Sequence, residues 1–245
     1  MPSTSETERL AALKSLNVLD TPPEVIFDSL TRLAALTFQT PIALVSLVDS
    51  DRQWFKSCIG LDVRETSRDV AFCDHAIRQT GVMVVLDASQ DSRFIDNPLV
   101  TGELGIRFYA GAPLVAPSGH RLGTLCIIDF HPRESFDDAQ RAQLEAMATA
   151  VTDALIMRRD ISNHLVLEGE RATGRALLAQ AEEMAGVGHW SWDAATDKTF
   201  WSPAIYRIHG YDPTLPPPDL AGVLAMYHPD YAAALAELVQ RAGSH

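Results

Sequence analysis

The spacing of apolar residues predicts helices first and strands afterwards within residues 1–135. Leucines at 10, 13 and 16 recur at helical spacing, as do the apolar residues of the segment that ends before Pro41. Runs rich in branched residues then predict strands, and turn-like clusters between several of them favour antiparallel hairpins. The predicted strands are 42–48, 53–59, 82–86, 106–115 and 122–129, and a further helix is predicted at 68–80. This order indicates an α+β domain with helices packed on a largely antiparallel sheet.

The second helix carries an apparent start signal. Thr21 is followed three residues later by Glu24, which is the spacing of a capping box, and Pro22 stands where the first helical residue is expected. We therefore expect Thr21 to cap the helix that runs to Phe38.

Residues 136–184 predict one long helix without proline. Apolar residues recur in alternating steps of three and four, which is the spacing of a coiled-coil seam. The predicted seam consists of Leu144, Met147, Val151, Ala154, Arg158, Ile161 and Leu165, with Arg158 as its polar member. A helix of this length needs a partner, so the pattern predicts a parallel homodimer in which Arg158→Leu tightens the dimer. The alternative is that the first half of the helix packs on the domain's own sheet.

Residues 185–245 predict a second, smaller unit. Two short strands precede three short helices, and alternation places Trp190 and Trp192 on one strand face. Core packing is the simplest role for these aromatic residues. The segment contains too little strand to close a sheet over its helices.

Composition and charge argue against several classes of protein, namely nucleic-acid binders, disulfide scaffolds and membrane-spanning proteins. The net charge is −12 and no basic block offsets it, so the sequence predicts no binding to nucleic acid. Three cysteines, Cys58, Cys73 and Cys126, are too few for a disulfide scaffold. No run reaches the roughly 20 apolar residues of a membrane helix, and the N-terminus lacks a signal core. We therefore expect a cytoplasmic protein without a membrane span.

Six segments within residues 5–155 carry a family resemblance. They are Leu16-Asn-Val-Leu-Asp-Thr-Pro-Pro-Glu, Ile42-Ala-Leu-Val-Ser-Leu-Val-Asp, Gln53-Trp-Phe-Lys-Ser, Ala71-Phe-Cys-Asp-His-Ala-Ile, Arg107-Phe-Tyr-Ala-Gly-Ala-Pro-Leu and Leu122-Gly-Thr-Leu-Cys-Ile-Ile-Asp. By these segments the chain resembles the GAF domains of bacterial signalling proteins. The tail resembles the start of a PAS domain through Ala185-Gly-Val-Gly-His-Trp-Ser-Trp-Asp, Trp201-Ser-Pro-Ala-Ile-Tyr-Arg-Ile-His-Gly-Tyr-Asp-Pro and Tyr227-His-Pro-Asp.

The resemblance implies a sensory module made of a GAF domain at 1–135, a signalling-helix linker at 136–184 and a partial PAS domain at 185–245. In such proteins the module commonly precedes a histidine kinase, a diguanylate cyclase or a phosphodiesterase, as in two-component systems. We expect no catalysis within this chain itself. We expect the GAF domain to bind a small molecule or a partner and to pass its state along a dimeric helix.

A ligand of the GAF domain is expected between the sheet and residues 68–105. The candidate lining residues are Trp54, Lys56, Cys73, His75, Arg107, Phe108 and Tyr109, with Arg107 the best group to hold an anion. The alternative is that these aromatic residues are core. No spacing of metal ligands appears, and the sequence leaves the cofactor unknown.

Two other functions stay open at this point. Some GAF proteins reduce free methionine sulfoxide with cysteines, so a cysteine-based reductase of small oxidised metabolites is one alternative. The other is a dimerisation scaffold that binds no ligand.

Overall fold

A computed structural model describes residues 6–193 and 196–242. The chain divides into two compact units, Met1–His164 and Leu165–His245, and each is described by itself.

The first unit contains a six-stranded antiparallel sheet with helices on both faces. The strand order is β3-β2-β1-β6-β5-β4. The strands are β1 (Ile42–Val48), β2 (Arg52–Ile59), β3 (Glu65–Ser67), β4 (Met83–Val85), β5 (Phe108–Val115) and β6 (Arg121–Asp129). The helices are α1 (Glu6–Lys14), α2 (Val25–Phe38), α3 (Phe72–Ala76), α4 (Pro98–Thr101) and the start of α5 (Asp138–Ala185). The predicted α+β class with an antiparallel sheet is confirmed.

Alternating side chains of the strands divide the interior into two cores. Ala43, Val45 and Leu47 of β1 face a core shared with α1, α2 and α5, which we call the helix face. Ile42 and Leu44 face a second core under α3 and the loops that follow it, which we call the α3 face. Both faces of the central strands are therefore fully covered.

The helix predicted at 68–80 is wrong in its extent. Residues Glu65–Ser67 form β3 against β2, Arg68–Val70 form a 3-10 turn, and α3 covers only Phe72–Ala76. The backbone of Ala71 is extended, with φ −78° and ψ 120°, which separates the two helical turns. Arg68 also bonds the carbonyl of Asp49 at 2.8 Å, and this contact holds the segment against the turn after β1.

The capping box predicted at the start of α2 does not form. The helix begins at Val25, its N-cap is Glu24, and no side chain caps it. The Thr21 hydroxyl donates to the carbonyl of Val18 at 2.6 Å and accepts from Lys56 Nζ at 2.8 Å. Buried Lys56 therefore bonds Thr21 and Glu24, the two residues that the sequence pattern assigns to the capping box.

The long helix α5 has 48 residues, as the absence of proline predicts. Its first part packs in the core of the helix face, where Leu144, Ala148, Val151 and Leu155 are at most 1% exposed. From residue 160 to residue 181 every side chain is exposed.

The second unit contains the hairpin of β7 (Trp190–Asp193) and β8 (Lys198–Trp201), followed by α6 (Pro203–His209), α7 (Leu220–Ala225) and α8 (Pro229–Ala242). Trp201, Ile205 and Val223 form its small buried core, against which Trp190 packs. At the end of α5, Glu182 accepts from the backbone N–H of His189 at 3.0 Å. Across the described residues of both units, no helix combines the length and apolarity needed to cross a membrane.

Candidate functional site

The sheet separates the seven residues that the sequence places in one pocket. Cys73 and Tyr109 lie in the core of the α3 face. Trp54 and Phe108 lie in the core of the helix face, because their strand positions point to the other side of the sheet. The seven residues therefore do not line a single cleft, and any ligand contact by them stays a prediction.

Cys73 is the centre of a buried polar cluster on the α3 face. Its Sγ lies 3.8 Å from Cys126 Sγ. The Thr124 hydroxyl donates to Cys73 Sγ at 3.1 Å, and the Tyr109 hydroxyl donates to it at 3.3 Å. The three residues Thr124, Cys126 and Tyr109 come from the paired strands β5 and β6. The sheet thus presents two hydroxyl donors and a second thiol to one sulfur atom.

This cluster makes the two buried thiols unequal. Burial alone raises the pKa of the Cys73 thiol, but the hydrogen bonds from Cys126, Thr124 and Tyr109 outweigh burial and lower it below its ordinary value. The hydrogen bond to Cys73, together with burial, raises the pKa of Cys126. Cys73 is therefore the thiol of the pair that ionises first.

Aromatic side chains fill the space between α3 and the sheet. The rings of Phe72 and Phe94 stack with centroids 3.9 Å apart, and Phe72 lies 5.2 Å from the Tyr109 ring. A Cβ at Gly111 would stand 2.2 Å from the Tyr109 hydroxyl, so only glycine leaves room for it. Gly111 thereby lets Tyr109 reach Cys73.

The two remaining α3-side candidates lie at the edge of this core. The ring of His75 packs edge-on against Phe94 with centroids 4.9 Å apart, and burial lowers the pKa of His75. Arg107 donates to the carbonyls of Val100 and Ile106, both at 3.2 Å. Arg107 thus holds the loop before β5, which is a different role from the anion contact that the sequence suggests.

Lys56 contributes to a charged contact on the helix side of the sheet. Its side chain is fully buried, and its ammonium donates to Thr21 Oγ1 and the Pro22 carbonyl at 2.8 Å and to Glu24 Oε1 at 2.6 Å. Arg158 of α5 donates to the same Glu24 oxygen at 2.6 Å. We call the group Lys56, Glu24 and Arg158 the anchor, because it joins β2, the start of α2 and α5.

The two cations of the anchor stabilise the ionised form of Glu24. Burial raises the pKa of Glu24, but the hydrogen bonds from Lys56 and Arg158 more than reverse this effect and lower it. Burial lowers the pKa of Lys56, which the bond to Glu24 opposes. Arg158 also donates to the carbonyl of Asn17 at 3.0 Å. The anchor therefore fixes one side of α5 to the domain near the point where the helix becomes exposed.

An open cleft of about 430 Å³ lies beside β2, and Lys56 is the anchor residue that lines it. Lys56, Ser57 and Cys58 form part of its wall, and Asp62 and Arg64 of the following loop close one side. Ser57 donates to Asp28 of α2 at 2.7 Å across this cleft. Its lining is mixed in charge, so it offers a polar small molecule both donors and acceptors.

The sequence reasoning missed Thr124 and Gly111 and did not pair Cys73 with Cys126. A usable signal existed on β6, where Thr124 and Cys126 are two residues apart and must share a face. Pairing β5 with β6 brings Gly111 opposite Cys126, and this register was not predictable without the turn geometry.

The predicted seam of α5 is divided between two environments. Leu144 and Val151 are fully buried in the domain's own core, Met147 and Ala154 pack at its margin, and Arg158 belongs to the anchor. Ile161 and Leu165 are 56% and 62% exposed. The first half of the seam is therefore wrong as a dimer contact within this chain's fold, and only its second half is free to meet a partner.

Comparison with protein families gives a match over most of the first unit. The family model of the GAF domain matches residues 22–155, more than half of the chain. A cyclic di-GMP phosphodiesterase of Pseudomonas aeruginosa is 47% identical over 146 residues, which cover 60% of this chain and 25% of that protein. The chain thus spans about a quarter of the length of this curated relative.

Solved structures with a similar fold include a methionine sulfoxide reductase and the GAF domain of a phosphotransferase. A free methionine-R-sulfoxide reductase from Neisseria meningitidis is 18% identical, with 65% of this chain and 96% of that chain covered and a TM-score of 0.47. The GAF domain of a phosphoenolpyruvate-protein phosphotransferase from Acinetobacter is 16% identical, with 66% and 99% covered and a TM-score of 0.46. Similarity at this level says nothing about the activity of this chain.

Proposed function

This chain belongs to the GAF domain family, and we propose that it is a sensory module. In this proposal the long helix α5 transmits the state of the GAF core to a second copy of the chain. The GAF domain gives it a sensory or regulatory role. One observation supports the role proposed for α5. Its first part packs in the GAF core, and the same continuous helix goes on through residues 160–181, which are all exposed. The proposal is that a shift of the core is passed along this helix to its exposed part.

The exposed part of α5 supports a homodimer. A helix with no buried face gains too little from its own hydrogen bonds to persist alone in water. This one exposes Ile161, Leu165, Leu177 and Leu178, each at least half exposed. Pairing with the same segment of a second copy would bury them. Sedimentation velocity at tens of micromolar tests this, since the proposal expects a dimer and a monomer would contradict it.

We propose the α3 face as the place where a signal enters the domain. This face is covered by short helices and loops, whereas the helix face is covered by long helices and tied down by the anchor. Short segments are more easily displaced than packed helices. A thermal-shift screen of the chain against nucleotides, amino acids and tetrapyrroles is the direct test. A compound that raises the melting temperature of the wild type but raises that of Thr124→Val less would support the assignment. An equal rise in both proteins would contradict it.

We propose that the output of the module lies in signalling by a kinase, a cyclase or a phosphodiesterase, and that this chain has no such activity itself. The support is the 47% identity to a protein named as a cyclic di-GMP phosphodiesterase, of which the matched part is a quarter. Incubation of the chain with cyclic di-GMP and chromatography of the products should show no hydrolysis. Measurable turnover that survives repurification would overturn this point.

We also propose that residues 185–245 form the start of a PAS domain. The support is the hairpin β7–β8 followed by three helices, with a small core that includes Trp201 of β8, Ile205 of α6 and Val223 of α7. Limited proteolysis that leaves this segment as a resistant fragment would support the proposal, and rapid cleavage throughout it would contradict it. A cytoplasmic location stays a prediction.

The thiol pair favours one alternative function, a cysteine-based reductase. Cys73 has a lowered pKa and a second thiol 3.8 Å away, which are features of reactive dithiols. Against it, both thiols are buried, so a substrate has no open route to them. Alkylation of the native chain followed by mass measurement decides between the two. Protection of Cys73 and Cys126 supports a structural cluster, and rapid labelling of Cys73 supports the reductase.

A further inference from the structure

A cleft of about 480 Å³ on the first unit collects positive charge. It lies between α1, the residues that follow α3, and the turn that joins β5 to β6. Arg9, Arg68, Arg78, His120 and Arg121 contribute to its wall. The chain as a whole has a net charge of −12, so this cleft reverses the prevailing sign of the surface.

Carboxylates neutralise only part of this charge. Glu6 accepts from Arg9 Nε and Nη2, both at 2.8 Å, and from Arg68 Nη1 at 2.6 Å. Asp74 accepts from Arg68 Nε at 2.8 Å and from Arg78 Nη2 at 2.5 Å. Three of the four arginines, Arg9, Arg68 and Arg78, therefore share two carboxylates, and Arg121 contacts neither. The four guanidinium groups thus exceed these two carboxylates by two positive charges.

Within the part of the chain that the structure describes, three nitrogen-bearing groups of the cleft lack a hydrogen-bond partner. The side chain of Arg9 is only 8% exposed, and its Nη1 atom is buried without a hydrogen-bond partner. His120 Nε2 is also buried without a partner. Among the residues that the structure describes, the guanidinium of Arg121 has neither a hydrogen bond nor an ion pair. An unpaired buried donor such as Arg9 Nη1 is unfavourable, so it calls for an acceptor supplied from outside.

We propose that this cleft binds a phosphate dianion, either free or as the terminal group of a small molecule. Two uncompensated positive charges match the charge of a phosphate. The unpaired Nη1 of Arg9 and the unpaired guanidinium of Arg121 come from α1 and from β6, and the His120 imidazole of the turn lies in the same wall. Donors from separate elements suit a tetrahedral anion with several oxygens better than a planar carboxylate, which one arginine fork satisfies. Ile77 is the single large apolar side chain in the described lining, so recognition works through the anion itself.

Glu6 acts as an internal competitor for this site. Its carboxylate holds two of the donors of Arg9 and one of Arg68. The hydrogen bond from Arg9 is the largest cause that lowers the pKa of Glu6 to about 2, so the competitor stays ionised at neutral pH. Removing its charge should free those donors for an incoming anion. The site is separate from the Cys73 cluster and from α5, and the proposal depends on neither.

Isothermal titration calorimetry of the full chain in a phosphate-free buffer at fixed ionic strength tests the proposal. The probes are inorganic phosphate, glycerol 3-phosphate and, as a carboxylate control, succinate. At least one phosphate probe should bind about tenfold more tightly than succinate. Tighter binding of the ester would identify an esterified ligand and tighter binding of inorganic phosphate a free anion, and either supports the site.

Three variants make the result specific. Arg121→Gln should weaken phosphate binding about tenfold, because it removes an unpaired guanidinium. Lys14→Gln on α1 removes the same charge from an exposed residue outside the cleft and should leave the affinity within about twofold. Glu6→Gln should tighten binding several-fold, a gain that misfolding cannot produce.

Several outcomes would overturn the proposal. One is that neither phosphate probe binds at concentrations up to about 10 mM. Others are succinate binding as tightly as phosphate, an equal loss in Arg121→Gln and Lys14→Gln, and a folded Glu6→Gln chain with unchanged or weaker affinity.

Discussion

The two halves of α5 have similar apolar spacing and different surroundings. In the first half, the buried positions Leu144, Ala148, Val151 and Leu155 follow the 3.6-residue period of a straight helix lying on a sheet. In the second half, Ile161 and Leu165 follow the same steps and are exposed. An apolar stripe therefore specifies that a helix needs a partner, and the neighbouring structure decides what the partner is.

The anchor lies at the border between these halves. Glu24 holds Lys56 and Arg158 at the same oxygen, both at 2.6 Å, so β2, α2 and α5 meet through one carboxylate. The first half is thus fixed by packing and by charge, while the side chains of residues 160–181 in the second half are all exposed. The following predictions test this contrast, beginning with the largest expected effect.

Leu144→Ala should lower the free energy of unfolding by about 3 kcal/mol, because it leaves a cavity in the helix-face core. Leu165→Ala is the matched control, since it removes the same atoms from an exposed position and should change the stability of the GAF domain by less than about 0.5 kcal/mol. Urea unfolding followed by tryptophan fluorescence measures both. Equal losses in the two variants would mean that the second half also packs on the domain.

Arg158→Leu should lower stability by about 1–2 kcal/mol and should not tighten a dimer. The substitution deprives Glu24 of one of its two cations and leaves the carbonyl of Asn17 without its donor. The sequence pattern suggests the opposite, a tighter seam, because it places Arg158 between two helices. Urea unfolding and sedimentation of the same sample separate these results.

Arg159→Leu is the control for that variant. Arg159 bonds only the adjacent Asp160 among its described partners, at 2.8 Å, so its loss should cost much less. A larger loss in Arg159→Leu than in Arg158→Leu would contradict the role given to the anchor.

The contribution of Glu24 should depend on pH. Its pKa is lowered in the folded chain by Lys56 and Arg158, so the unfolded state takes up a proton first as the pH falls. The stabilisation is therefore complete above the ordinary pKa of 4.5 and declines as the pH falls below it. The difference in unfolding free energy between the wild type and Glu24→Gln should therefore shrink between about pH 5 and about pH 3. A difference that grows on acidification would refute this assignment.

The fold was largely predictable because its signals are local. Branched runs and turn clusters located all the long strands of the sheet to within two residues, and the proline-free stretch 136–184 located α5. The helix prediction for 68–80 was wrong because Arg68 bonds a residue distant in the sequence, Asp49, and the backbone of Ala71 is extended. Helical periodicity gives no information about such long-range contacts.

The candidate site was predictable only in part, because the face of the sheet to which a strand residue points depends on the register of the strands. Cys73 and Tyr109 were placed correctly together, yet Trp54 and Phe108 point through the sheet to the other core. A slip of one residue reverses a strand's faces, and an unaligned sequence fixes register only loosely. The anchor was invisible for another reason: Glu24 and Arg158 are 134 residues apart and meet only in the folded chain.

The most direct test of the central claim is cysteine cross-linking across the proposed dimer. Ile161→Cys and Leu165→Cys, each in a Cys58→Ser background that leaves only the two buried thiols, place a thiol on the proposed seam. Asn163→Cys places it two residues away, on the opposite side of the helix. Under mild oxidation the account predicts that positions 161 and 165 form disulfide-linked dimers about tenfold faster than position 163. Equal rates at all three positions, or no covalent dimer at any of them, would contradict it.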